Sequence, residues 1–299
     1  MTPSVNLRTG AGHVQRGAHV QKRTEIGPWR LVRKIGEGAL TEVFQARCDR
    51  GSASYALKRL RSQWQAEALA IECLKSEASV GRAVSHCHVI PILAAQLEEP
   101  PNYVVMPLLS GRGLEAYLLP GEPVRVPLAL WIARQAAEGL GALHASGFMH
   151  GDVKPANLFV ASDAHVTLLD LGFARPAGRS GTLAHRPVVG SVQYMAPELF
   201  SSTLCADIRS DIYSLGVVLF QMLCGRLPFA ETNPQDLALA HRDQPPPQMR
   251  TLAAQLPSEL THFVHTMLAK EPLRRPQSPK EVVQTLVRHE VEMLGDGYR

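Results

Sequence analysis

The spacing of apolar residues changes once along the chain. Up to Leu109 they fall in short runs of strand length, broken by turn residues. Beyond Gly111 they recur three and four positions apart. The first part predicts strands over 29–35, 42–48 and 54–60, with the turn Asp49-Arg50-Gly51-Ser52 between the last two. Residues 66–84 are rich in Ala, Leu and Glu, contain no proline, and predict a helix. Two further apolar runs, 88–97 and 103–109, have strand length and flank Glu98-Glu99-Pro100-Pro101-Asn102. In the second part, Leu128, Ile132, Ala136, Leu140 and Leu143 share one helical face, with Pro127 at the start and Gly147 just past the end. Residues 166–169 form a short strand opposite Leu158-Phe159-Val160 across the turn Ser162-Asp163. The run 212–223 is apolar all round and predicts a helix buried inside a helical lobe. Ser278-Pro279-Lys280-Glu281 is a helix start, with a capping serine, a proline at the first position and a glutamate at the third. The order is a β-rich lobe followed by an α-rich one.

Composition narrows the class. The chain has 299 residues, 45% hydrophobic and 19% charged, which suits one large two-lobed domain and argues against disorder. No apolar run reaches the roughly 18–20 residues of a membrane helix, so membrane insertion is not expected. A formal charge of +4, from basic residues scattered along the chain, gives no reason to expect a nucleic-acid partner. Five irregularly spaced cysteines suit reduced thiols and a cytoplasmic location. His86-Cys87-His88 has metal-binding residue types but no second ligand pair at zinc spacing, and packing is the expected role. Residues 1–26 hold four Lys or Arg and few large apolar side chains, and read as a solvated tail.

Candidate chemistry lies at four places. Gly36-Glu37-Gly38 at a strand-to-strand turn would let backbone N–H groups approach a phosphate, although a plain hairpin also uses such glycines. Lys58, between apolar neighbours on a strand, needs a ligand or carboxylate, because an unpaired buried ammonium is costly. Glu67, Glu72 and Glu77 on the following helix compete to supply that carboxylate; Glu77 is preferred for its distance to the next strand. The segment His150-Gly151-Asp152-Val153-Lys154-Pro155-Ala156-Asn157 places a base, a cation and an amide within six residues, on a loop stiffened by proline. Eighteen residues after Asp152, Asp170 ends an apolar strand beside Leu171-Gly172, a position suited to a divalent cation holding a triphosphate.

From about residue 29 to 287 the chain resembles the serine/threonine protein kinases, in their bacterial eukaryotic-like branch. The ordered motifs are Gly36-x-Gly38 with Val43, Ala56-x-Lys58, the Asp152 loop, Asp170-Leu171-Gly172 and Ala196-Pro197-Glu198. Ser210-Asp211-Ile212-Tyr213-Ser214-Leu215-Gly216 and Arg274-Arg275-Pro276 follow them. The resemblance implies an α+β, bilobal fold: an antiparallel N-lobe sheet with one helix over 27–109 and a mainly helical C-lobe over 110–299, with the catalytic domain at 27–292. It implies transfer of the γ-phosphoryl of ATP, held with Mg²⁺ (or Mn²⁺), to Ser or Thr hydroxyls of a protein substrate, in bacterial signalling. Lys58 would hold the α- and β-phosphates and pair with Glu77. Asp152 would accept the hydroxyl proton, Lys154 would neutralise the transferring group, and Asn157 and Asp170 would hold metal ions. Ile35, Gly36, Gly38, Val43 and Ala56 would enclose the nucleotide, with Met106, Pro107 and Leu109 along the hinge. Glu198 and Arg275 would form a buried pair, and Asp211 would anchor the catalytic loop.

The sequence departs from that pattern at three positions. Gly151 stands where many kinases carry an arginine that meets an activation-segment phosphate, so activity without such phosphorylation is expected. Ser180 and Thr182 remain candidate autophosphorylation sites. Thr41 replaces the third glycine of the loop, and Leu171 replaces the usual Phe. Two rival readings are a small-molecule phosphotransferase of the aminoglycoside or choline kinase kind, which Gly151 suits, and a pseudokinase scaffold. Against them stand Lys154 with Ala196-Pro197-Glu198, and the presence of Lys58, Asp152 and Asp170 together.

Overall fold

The computed structural model describes residues 25–49, 51–176, 192–200 and 207–295. The candidate phosphosites Ser180 and Thr182, and nearly all of the expected tail, lie outside these described residues.

The first part of the chain builds a six-stranded antiparallel sheet in the order β1-β2-β3-β4-β6-β5. Its strands are β1 (Glu25–Ile26), β2 (Trp29–Glu37), β3 (Thr41–Cys48), β4 (Ser54–Leu60), β5 (Ala94–Gln96) and β6 (Tyr103–Pro107). Pairing of β3 with β4 sets Val43 opposite Lys58, and pairing of β4 with β6 sets Ala56 opposite Met106. β2 runs on through the first glycine to Glu37, two residues past the expected strand end at Ile35, because Gly36 still pairs with Val43 and Glu37 with Glu42. Helix α1 (Ala68–Ala83) packs on the sheet and buries Ala70, Leu74, Glu77 and Ala78, residues repeating at helical spacing.

The expected strand over 88–97 shrinks to β5 alone. Ahead of it the chain threads between the lobes: Ile90 N–H donates to Leu168 O at 3.0 Å and Leu168 N–H to His88 O at 2.8 Å. His88, Val89, Ile90 and Ile92 are buried there while Pro91 and Leu93 are exposed, and a short apolar run of this kind does not by its pattern separate strand from packed connection. Pro91, without an N–H, also interrupts any ladder. At this crossing a Cβ on Gly139 would lie 2.8 Å from His88 O, so only glycine lets helix α2 (Val126–Ala145) approach so closely.

The second part is mainly helical. After β7 (Gly111–Gly113) come α2 (Val126–Ala145), β8 (Phe148–Met149), β9 (Leu158–Ala161), β10 (Val166–Leu168) and β11 (Arg175–Pro176). Helices α3 (Ile208–Cys224), α4 (Pro234–Asp243), α5 (Met249–Leu252), α6 (Ser258–Met267) and α7 (Pro279–Gly295) follow. β9 and β10 form the anticipated hairpin, with Val166 opposite Val160 and Leu168 opposite Leu158. It holds the segments before and after it, 150–157 and 169–173, beside each other. Nearly every residue of α3 is buried, as expected for the apolar run 212–223. Its Asp207 cap accepts from Arg209 N–H, and Gly225, at φ +67°, ends it. No described helix is long and apolar enough to cross a membrane.

Candidate active site

The site forms where the sheet faces the β9–β10 hairpin. Lys58 sits on β4 with its ammonium 2.8 Å from Glu77 Oε2 on α1 and 2.8 Å from Asp170 Oδ1 after β10. Of the three competing glutamates, Glu77 is the one that reaches it; Glu67 and Glu72 are exposed, and Glu72 meets Lys75. Burial alone would lower the Lys58 pKa, but Asp170 and Glu77 more than offset it and hold the ammonium charged. Burial pushes the Glu77 carboxyl up to about 7 against the pull of Lys58. Asp170 is only partly buried, and the cations of Lys58 and Lys154 outweigh its desolvation and keep its carboxyl below the usual range. Asp170 has φ +60°, a left-handed conformation rare outside glycine, which turns the chain sharply at the strand end.

Across the cleft, the loop after β8 carries the second cluster. Lys154 Nζ lies 2.7 Å from Asp152 Oδ2. Asn157 Nδ2 donates to Asp152 O at 2.8 Å and to Asp152 Oδ2 at 3.0 Å, which fixes the amide plane. The loop is held from beneath by Asp211 on α3, which accepts from His150 N–H at 2.7 Å and Gly151 N–H at 2.8 Å. Gly151 has φ +76°, where an arginine would be strained by about 1–3 kcal/mol, so this loop conformation itself favours glycine.

A cleft of about 430 Å³ joins the two clusters, within the range of small-molecule sites. Ile35, Gly36, Gly38, Val43, Ala56, Lys58, Glu77, Met106, Pro107, Leu109, Lys154, Asn157 and Asp170 all line it. A smaller chamber of about 160 Å³ shares Gly38, Lys58, Lys154 and Asp170 with it and adds Asp152. Every site residue expected from sequence therefore lines one or both of two adjoining cavities. Sequence reasoning missed Ile90, Phe159, Leu169 and Glu115, which also line the larger cleft. Leu169 was within reach as the apolar residue immediately before Asp170. Glu115 was not: its carboxylate fills the space where a Gly113 side chain would stand.

Farther down, Glu198 and Arg275 form a bidentate pair, at 2.7 Å to Nη1 and 2.8 Å to Nη2, with both side chains buried. Ser210 Oγ donates to Glu198 Oε1 at 2.7 Å, so the segment 192–200 is tied to α3. Tyr194 Oη strengthens the tie by donating to Gln221 Oε1 at 2.8 Å.

A lysine bridging two carboxylates across a cleft from an Asp-Lys-Asn loop, over a two-lobed α+β frame, is the arrangement of the protein kinases. Residues 29–290 match the protein kinase domain family, and the chain belongs to it. It is 32% identical over 256 residues to the serine/threonine-protein kinase PknD of Mycobacterium tuberculosis, covering 85% of this chain and 38% of that one. It is 33% identical over 268 residues to the serine/threonine-protein kinase pkn2 of Myxococcus xanthus, covering 87% and 32%. A probable serine/threonine-protein kinase of Clostridium perfringens is 30% identical over 259 residues, covering 86% and 38%. The chain thus spans about two fifths or less of the length of these relatives.

Proposed function

We propose that the chain is a serine/threonine protein kinase, moving the γ-phosphoryl of ATP to a protein hydroxyl with Mg²⁺ (or Mn²⁺). One observation carries this reading: the Lys58–Glu77–Asp170 bridge and the Asp152–Lys154–Asn157 cluster face two adjoining cavities that share Lys58, Glu77, Lys154 and Asp170. All the charged groups needed for turnover are in place, which speaks against a scaffold without activity.

The donor set fits a hard divalent cation. Asn157 commits its nitrogen to Asp152, leaving the amide oxygen as donor, and Asp170 has a second carboxylate oxygen besides the one on Lys58. When bound there, the ion would neutralise phosphate charge. The chain's own part is positioning and electrostatics. Lys58, held by Glu77, presents its ammonium to the α- and β-phosphates. Val43, Ala56 and Met106 enclose the base, while backbone at Pro107 and Leu109 offers it polar groups. The Asp152 carboxylate takes the proton of the attacking hydroxyl, and Lys154 beside it offsets charge on the transferring group. In this reading the lobes divide at about residue 109, and a reducing cytosol keeps the cysteines as thiols.

Gly151 carries no side chain to receive an activation-segment phosphate, so activity does not depend on phosphorylation there; treatment with phosphatase leaves turnover intact, and a large loss would refute this. The substrate class is tested by offering Mg-ATP with a generic protein mixture and, separately, with aminoglycosides and choline. Phosphoserine or phosphothreonine supports the proposal. Phosphate found only on the small molecules would move the chain to the rival class.

A further inference from the structure

The segment joining β4 to α1 touches the glycine turn at its tip. Gly38 N–H donates to Thr41 O at 2.8 Å, leaving Ala39 and Leu40 as the two outermost residues. Both of their carbonyls are taken by the joining segment. The indole Nε1–H of Trp64 donates to Ala39 O at 3.1 Å, and Arg61 N–H donates to Leu40 O at 3.0 Å. The Arg61 guanidinium adds a 3.1 Å contact to Glu37 Oε1. The segment is itself fixed, because Gln65 Nε2 donates to Leu60 O at 2.6 Å and Gln65 Oε1 accepts from Asn102 N–H at 2.8 Å. It therefore forms a rigid strap between the far side of the sheet and the turn.

Across a trans peptide, C=O and N–H point in opposite directions. With the Ala39 carbonyl turned to Trp64, the Leu40 N–H points away from the strap. Ala39, Leu40 and Thr41 line the same chamber as Lys58, Asp152 and Asp170. The turn has lost one glycine to Thr41, so its backbone is stiff as well as tethered. The strap also leads straight into α1, which carries Glu77, so turn and Lys58–Glu77 pair hang on one piece of chain.

We propose that Trp64 is a positioning residue that holds the tip of the glycine turn over the phosphates, which rests on the nucleotide-binding reading above. Trp64→Phe keeps one aromatic ring and removes the pyrrole half of the indole with its N–H. The loss of one such hydrogen bond corresponds to about a fivefold shift in the held population. The first readout needs no nucleotide: amide hydrogen exchange at Gly38 and Arg61 rises about fivefold in Trp64→Phe, with the remaining sheet and the melting temperature unchanged. The second is kinetic: KM for Mg-ATP rises about fivefold while kcat stays within twofold. Unchanged exchange at Gly38 and Arg61, or an unchanged KM in an active enzyme, would overturn the proposal. A wild-type protein that binds no Mg-ATP would instead refute the phosphotransfer reading, and the exchange result would still decide whether Trp64 holds the turn.

Discussion

Replacing Arg275 by methionine removes the cation from the most enclosed ion pair of the helical lobe. Arg275 has five N–H donors, and five acceptors meet them: two oxygens of Glu198 and the carbonyls of Ala269, Arg209 and Lys270, at 2.7–3.0 Å. In Arg275→Met the Glu198 carboxylate stays buried with, among the described residues, only Ser210 Oγ to bond it. Removing one partner of a buried pair costs about 3–5 kcal/mol, mostly from the charge left behind. Urea denaturation should give that loss with an unchanged slope, and melting should fall by about 10 °C. The double variant Arg275→Met with Glu198→Gln discards the stranded charge. It should recover more than about 1.5 kcal/mol relative to the sum of the single changes. An Arg275→Met protein within about 1 kcal/mol of wild type, or strictly additive single variants, would refute this account of how the segment 192–200 is tied down.

Two further outcomes follow from the buried groups. Glu77→Gln should lower kcat/KM about 10²-fold with little change in melting temperature. Burial already pushes this carboxyl up to about 7, so the fold gains little from its charge, whereas Lys58 loses a partner that orients it. His241 is buried against Tyr213, Phe229 and Phe200, its Nδ1 2.9 Å from Tyr213 Oη. Burial, helped by Lys270, lowers its pKa to about 4. Between pH 6.5 and 4 the unfolded chain binds the proton that the folded one refuses. Stability should therefore fall by up to about 3 kcal/mol as pH drops through that window. Denaturation at stepped pH checks this, and His241→Asn should flatten that part of the curve; an unchanged slope would contradict it.

The chemistry was more legible in the sequence than the connections that position it. Asp152, Lys154 and Asn157 lie within six residues, so one loop brings them together whatever the rest of the fold does. The β9–β10 pairing followed from two short apolar runs on either side of Ser162-Asp163. Residues 88–93 were unreadable because a short apolar run suits a strand and a packed connection equally well. The Trp64–Ala39 contact joins residues 25 apart through one indole N–H, and no periodic pattern encodes such a bond. Glu115 was hidden for a similar reason: it enters the cleft only because Gly113, two residues earlier, leaves the space open.

Phosphotransfer by the purified chain, with Asp152→Asn as its control, bears most directly on the central claim. Wild type given Mg-ATP and a protein mixture should form phosphoserine or phosphothreonine, and Asp152→Asn, which keeps the side-chain shape but loses the base, should be slower by 10² or more, on the order seen for one preorganised catalytic group. Equal rates in the two proteins, or no transfer by a well-folded wild type that binds Mg-ATP, would contradict it.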